Sequence, residues 1–142
     1  MRDYLWLYGD KMSGQTSDYK DIKLSGKIEE DIALFKEIFK KDSVFRVKRL
    51  KARKTEKMDC ALVYMDGMVD SEQLNDAVIE PILTTDVQNS SGDITEYIEN
   101  QVLFARDVKQ NGNVAKIIEG IIYGEALLLI DGSTMALTVD VK

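Results

Sequence analysis

The sequence contains no histidine. This absence removes the most common general base, the most common transition-metal ligand and the middle member of most nucleophilic triads. Its one cysteine, Cys60, excludes an internal disulfide, and its place between Asp59 and an apolar run predicts a buried, unreactive thiol in a reducing compartment. The sequence has no phosphate-binding glycine loop, dinucleotide-binding motif, metal-spaced cysteines or nucleophile elbow. No enzyme, cofactor or metal ion is therefore expected.

Long apolar runs are also missing. The apolar cluster near the N-terminus is far too short to span a membrane, and the most apolar later stretch is interrupted by Lys116, Glu119 and Glu125. With 142 residues, 44% hydrophobic and 31% charged, the composition is that of one soluble globular domain. We expect residues 1–23 to form an N-terminal arm and linker, disordered over residues 11–21, and residues 24–142 to form a single α/β subdomain.

The central part of the sequence shows the clearest pattern of strand, turn and helix. An apolar run from Cys60 ends at Asp66-Gly67, where glycine permits a turn. Asp70 is a predicted helix N-cap with Gln73 as its capping-box partner. The helix is predicted to end near Pro81, because proline lacks the amide hydrogen and restricts the preceding residue.

The flanking segments alternate between helical and strand patterns. A helix is predicted over residues 26–40, with Ser25 as N-cap, followed by a strand over 44–52 that forms a hairpin with the central strand. Further helices are predicted to start at Asp93 and at residue 114, the latter ending at Gly124, with a short strand over 102–105 between them.

A final hairpin is predicted from strands 126–130 and 135–141, the second of them half-buried, around Asp131-Gly132-Ser133. About four helices and about five strands predict an α/β fold with a mixed β-sheet.

Charge is unevenly distributed. Residues 1–57 contain 15 Lys/Arg and 10 Asp/Glu, or +5, whereas residues 58–142 contain 4 and 15, or −11. The basic strip from Lys36 to Lys57 is typical of a solvated edge hairpin, but also of a surface that faces anionic lipid. Nucleic acid is not expected, because aromatic residues do not alternate with these cations and the net charge is −6.

Several phrases of the sequence resemble a known family. IALFKEIF, ALVYMDGMVD, VIEPIL and IIEGIIYGEALLLIDGSTMALTVDVK are similar in order and spacing to the N-terminal cytosolic domain of the A subunit of GerA-type spore germination receptors. The similarity extends from Leu24 to Lys142, and the chain resembles the first subdomain of that domain.

The resemblance implies a place and partners for the chain. Such A subunits continue into a second soluble part and a helical membrane portion, and they act in nutrient-induced germination with a transporter-like B subunit and a lipoprotein C subunit. The expected location is the cytosolic face of the spore inner membrane. The expected partners are the B and C subunits, the remainder of the A subunit and an anionic membrane surface near Lys36 to Lys57.

The family phrases contain no catalytic set. Paired carboxylates at strand ends can bind a cation or perform acid/base chemistry if they converge, but glycine geometry and helix capping also explain the residue types. Our hypothesis is an interaction and signal-relay surface; the alternative is a cleft that binds a small nutrient through Asp131 or Ser133. The candidate residues for either role are Asp66, Gly67, Asp70, Asp131, Gly132 and Ser133.

Overall fold

The computed structural model describes residues 19–51, 58–85, 93–105 and 107–142. Outside these residues lie the N-terminal aromatic cluster, the predicted linker up to residue 18, the connection over 53–57 with its cations and the polar stretch over 86–92. The end of the predicted linker is ordered: Tyr19 to Asp21 form a turn, and the Lys20 carbonyl accepts a hydrogen bond from Asn113 Nδ2 at 2.7 Å.

Within the described residues, five strands form one sheet in the order β1-β2-β4-β5-β3, and each neighbouring pair is antiparallel. The predicted α/β fold with about five strands is confirmed. A mixed sheet was expected, but the sheet is antiparallel throughout. The two hairpins require antiparallel pairing of their strands, whereas the longer connections are compatible with either strand direction. The strands are β1 Phe45–Lys51, β2 Asp59–Met65, β3 Val108–Asn111, β4 Glu125–Ile130 and β5 Ala136–Asp140.

The described part of the chain also contains four helices, as predicted. Helices α2 and α3 each include a segment with wider, π-type turns: Asn75–Ile79 in α2 and Ile98–Val102 in α3. The helices are α1 Ile28–Ile38, α2 Ser71–Leu74 continued by Asn75–Ile79 and Glu80–Thr84, α3 Ile94–Tyr97 continued by Ile98–Val102, and α4 Val114–Ile122.

Both faces of the central strands are buried. In β2, Cys60 and Leu62 face helices α2 and α3, whereas Ala61 and Val63 face helices α1 and α4. Successive side chains of a strand point to opposite faces, so a continuous apolar run is what a doubly covered strand requires. Strand β4 follows the same rule, and the molecule has helices on each side of the sheet.

Two sequence predictions about strands were wrong. The short strand expected over 102–105 is absent, because Val102 ends helix α3; the strand lies instead at Val108–Asn111, whose largely polar sequence carries no apolar period. Strand β5 was expected to be half-buried, but both Leu137 and Thr138 are buried. It lies between β4 and β3, where both faces are covered.

The sequence predicts that helix α2 ends near Pro81, but the helix continues to Thr84. A proline within a helix leaves the carbonyl four residues earlier without its donor. Here the carbonyl of Ala77 accepts a hydrogen bond from the Phe104 N–H at 3.1 Å. A tertiary contact therefore supplies the donor that Pro81 lacks.

Helix α4 ends as predicted, with Gly124 at φ 97° just after its C-cap. A Cβ atom at this position would lie 2.9 Å from the carbonyl oxygen of Met68. We expect Gly124→Ala to lower the free energy of unfolding by about 1–3 kcal/mol, because it adds backbone strain and a steric clash. Urea denaturation of the purified chain measures this change.

Gly120 provides the matched control within the same helix. A Cβ atom there meets the flexible carboxylate end of Glu125 at 3.2 Å, and the residue is helical. Gly120→Ala should leave stability unchanged or raise it by up to about 1 kcal/mol. Equal losses for the two variants would contradict the assignment of Gly124 as the strained position.

Candidate functional site

The turn at Asp66 and Gly67 connects β2 to α2 and lies at the surface. Gly67 has φ 86°, as the turn prediction requires. The Asp66 carboxylate lies 3.5 Å from Arg46 Nη2, and both side chains are about half exposed. The Asp66 N–H donates to the carbonyl of Val44 at 2.8 Å, so the backbone is fixed while the carboxylate remains accessible.

Asp70 is the N-cap of helix α2, as predicted. Its Oδ1 accepts hydrogen bonds from the N–H groups of Glu72 and Gln73, at 3.0 and 3.1 Å. Its own N–H donates to the carbonyl of Val141 at 2.6 Å. Asp70 therefore ties the start of α2 to the residue that follows β5.

Asp131 caps a helix that lies far away in the sequence. Its Oδ1 accepts a hydrogen bond from the Ile28 N–H at 3.1 Å, across 103 positions. The Gly132 N–H donates to the carbonyl of Gly26 at 2.8 Å. The β4-β5 turn is thereby attached to the start of α1.

The predicted N-cap at Ser25 was wrong, because helix α1 has Lys27 at that position, without a side-chain cap. Ser25 Oγ lies two residues earlier and accepts from the Lys27 N–H at 3.1 Å. The carboxylate of the buried Asp31 accepts from the N–H groups of Ser25 and Gly26. The start of α1 thus depends on Asp131 and Asp31 rather than on a local N-cap.

Ser133 connects the same turn to helix α3. Its Oγ accepts from Thr95 Oγ1 at 2.7 Å and donates to the carbonyl of Met135 at 2.8 Å. Thr95 is fully buried. Asp131 Oδ1 and Ser133 Oγ are therefore engaged within the domain, although Asp131 itself is exposed.

The two Asp-Gly turns lie at opposite ends of the sheet. Strands β2 and β4 are antiparallel, with Cys60 opposite Ile130, so Asp131 lies beside the start of β2 while Asp66 follows its end. The length of β2, about 20 Å, separates them. Their carboxylates do not form a pair, and no group of potential ligands suited to a metal ion occurs in the described residues.

Cys60 is fully buried in β2. Burial, with smaller contributions from the charges of Asp59 and Asp131, raises the pKa of its thiol to about 12. Its burial and its raised pKa agree with the prediction of an unreactive thiol.

Four cations of the basic strip lie on edge strand β1, with Arg46 and Lys48 on one face and Arg49 and Lys51 on the other. Arg49 binds two carboxylates, Glu29 on α1 and Asp59 on β2 at 2.6 Å, and these hydrogen bonds raise its pKa, the one to Asp59 most. Lys48 and Lys51 are exposed and form no ion pair with described residues. Beside Arg49, a groove of about 260 Å³ between α1 and β1 is lined by Glu29, Ile32, Lys36, Phe45, Val47 and Arg49.

Sequence reasoning missed a second groove, of about 450 Å³, beside Phe104. The Phe104 side chain is 79% exposed. Phe104 falls within the segment that the sequence predicts as a short strand, and an isolated aromatic residue gives no indication of its exposure. The groove is lined by Asp70, Glu72, Gln73, Asp76, Ala77 and Phe104.

Comparison with known proteins identifies relatives in sequence and fold. The family model of the Bacillus/Clostridium GerA spore germination protein matches residues 33–142. Comparison with curated protein sequences gave no match. None of the helices in the described ranges is both long and apolar enough for a membrane span.

Among solved structures that share the fold is the N-terminal domain of the A subunit of the Bacillus megaterium spore germinant receptor GerK3, with a TM-score of 0.67 and 22% identity. The match covers 84% of this chain and 48% of that one, so the chain spans about half of the solved chain's length. At this identity the match establishes the fold alone. The family resemblance inferred from the sequence phrases is confirmed.

The capping role of Asp131 is testable by substitution. We expect Asp131→Ala to lower the free energy of unfolding by about 1–2 kcal/mol, because it removes the acceptor for the Ile28 N–H. Asp131→Asn should restore most of the loss, since an amide oxygen also accepts this bond. Urea denaturation measures both variants.

Asp66→Ala, in the other Asp-Gly turn, is the control for Asp131→Ala, because the Asp66 side chain forms a half-exposed ion pair. Its cost should stay below about 1 kcal/mol. A larger cost at Asp66 than at Asp131 would contradict the contrast between the two turns.

Proposed function

We propose that this chain, which belongs to the Bacillus/Clostridium GerA spore germination protein family, is the first subdomain of a germinant receptor A subunit and serves as a non-enzymatic interaction and signal-relay module. The observation that carries the proposal is the family match over residues 33–142. The shared fold with the GerK3 A subunit domain supports it. The proposed location is the cytosolic face of the spore inner membrane.

The proposed subdomain begins at Leu24 and continues to Lys142. Leu24 is buried, and its N–H donates to the carbonyl of Gly112 at 3.0 Å. The preceding Ile22 carbonyl accepts from the Val114 N–H at 3.0 Å, so the last residues of the proposed arm contact the start of α4. The proposed partners are the remainder of the A subunit and the B and C subunits.

The Asp66 turn is the preferred relay surface among the candidate residues. Asp131 Oδ1 and Ser133 Oγ form hydrogen bonds that hold other elements of the domain, whereas the Asp66 carboxylate forms a half-exposed ion pair with Arg46. The turn is linked to α2, whose N-cap Asp70 binds the end of β5. A partner at this turn would therefore act on two structural elements.

Reversal of charge at Asp66 tests the relay role. In spores whose response to one nutrient depends on the receptor containing this chain, we expect Asp66→Lys to slow germination while the receptor level stays unchanged. The physical reason is repulsion of the partner surface without loss of a buried contact. Loss of refractility after nutrient addition gives the rate, and immunoblotting gives the receptor level.

Glu30→Lys is the matched control, because Glu30 is a similarly exposed carboxylate in an ion pair with Lys27 on α1. Its germination rate should equal that of the parent. Normal germination of the Asp66→Lys spores, or equal slowing in both variants, would rule out a specific role for this turn.

Contact with an anionic membrane is a second, independent part of the proposal. It is supported by Lys48 and Lys51, exposed on an edge strand without ion pairs to described residues. We expect the purified chain to bind vesicles that contain phosphatidylglycerol, and binding to weaken as salt increases. The double variant Lys48→Glu/Lys51→Glu should reduce binding about tenfold or more, since each basic residue contributes about 1 kcal/mol.

Lys109→Glu, on the opposite edge strand β3, controls for the general effect of net charge. It should reduce vesicle binding much less than the double variant does. Binding that is equal for neutral and anionic vesicles, or an equal effect per charge at Lys109, would contradict membrane contact through β1. Vesicle co-sedimentation measures all three proteins.

A further inference from the structure

We infer that the groove beside Phe104 is a docking site for an arginine-containing basic segment of a partner protein. The inference goes beyond the proposed germination role, because it depends only on the shape, the exposed aromatic residue and the charge of this groove. A negative result here would leave the role of the Asp66 turn unaffected.

The groove lies between the N-terminal half of helix α2 and the segment that follows α3. Its volume of about 450 Å³ accommodates one large side chain together with adjoining backbone. One wall carries Asp70, Glu72 and Asp76, and the other is formed by Phe104. An aromatic side chain thus stands beside carboxylates in a concave surface.

Phe104 is held in place without being buried. Its N–H donates to the Ala77 carbonyl on the groove wall, at 3.1 Å, and the preceding Leu103 is buried against the core. Its side chain is 79% exposed, the largest exposure among the large hydrophobic residues of the described ranges. Such an anchored, exposed aromatic residue is typical of the centre of a protein interface.

The charge of the groove defines its occupant. In the described part of the chain, the ion pairs use only carboxylates on or near α1, β1 and β2: Glu29, Glu30, Glu37, Asp59 and Asp66. Glu72 and Asp76 have no cation among the described residues, which do not include Arg106, whereas Asp70 Oδ1 caps helix α2. Electrostatic complementarity therefore favours a basic segment and disfavours an anionic lipid surface.

Arginine fits the combination of groups better than lysine does. Its planar guanidinium stacks on an aromatic ring and binds carboxylates through paired hydrogen bonds, whereas a lysine ammonium is a compact, strongly hydrated charge.

Binding of short labelled peptides to the full 142-residue chain tests the inference. The probes are a flexible peptide with four arginines spaced by glycine and serine, its lysine analogue and its citrulline analogue, measured by fluorescence anisotropy in low and moderate salt. We expect the arginine peptide to bind saturably, about threefold or more tighter than the lysine peptide, with affinity that falls as salt rises. The uncharged citrulline peptide should not bind.

Two variants locate the binding. Phe104→Ala and Asp76→Asn should each weaken binding of the arginine peptide by about two- to fivefold, since they remove the stacking surface and one carboxylate. Tyr123→Ala is the matched control, because Tyr123 is an aromatic side chain that is 60% exposed and does not line this groove; its affinity should equal that of the parent. Thermal denaturation confirms that each variant is folded.

Three results would overturn the inference. They are equal affinity for the arginine and citrulline peptides, unchanged binding by both groove variants, and self-association of the chain in sedimentation velocity that Phe104→Ala abolishes. The last result would identify a second copy as the occupant of the groove.

Discussion

The β2-β4 pair must present apolar side chains on both faces of the sheet, because helices cover it on each side. In β2, alternate residues face opposite sides of the sheet, with Leu62 buried on one side and Val63 on the other. A polar residue in either set would leave an unpaired group away from water. On these two strands, accessible polar groups are therefore confined to the ends, where the two Asp-Gly turns lie.

The ends of these strands perform different tasks although their sequences are alike. The Asp131 turn follows β4 and holds the start of α1 through Ile28, and its neighbour Ser133 holds α3 through Thr95. The Asp66 turn follows β2 and leaves its carboxylate at the surface beside Arg46. One turn therefore assembles helices from both layers, and the other is available for contact with a partner.

Local sequence chemistry predicted much of this fold. The caps at Asp70 and Asp93 hold because the side chain and the amides it binds lie within three residues of each other, so the pattern contains the whole interaction. The β4-β5 hairpin follows from apolar runs around a glycine turn, and the β1-β2 hairpin follows from two strand-like runs around a short polar connection.

The predictions that were wrong depended on partners distant in the sequence. Helix α2 passes through Pro81 because Phe104 supplies a donor to Ala77, and no periodicity within α2 reveals that contact. Helix α1 is capped by Asp131 rather than by Ser25, which lies two residues too early. The candidate turns were identified correctly as turns, but their separation to opposite ends of the sheet follows from the antiparallel β2-β4 register.

Helix α2 is the element through which the two proposed contact surfaces would communicate. Its start is tied to the end of β5 by Asp70 and follows directly from the Asp66 turn, and its middle segment contacts Phe104 through Ala77. The π-type turns at Asn75–Ile79 include Ala77 itself. Wider turns of this kind are often found at functional positions in helices. A partner that pulls on the Phe104 segment would therefore act first on this part of α2, and through it on the Asp66 turn.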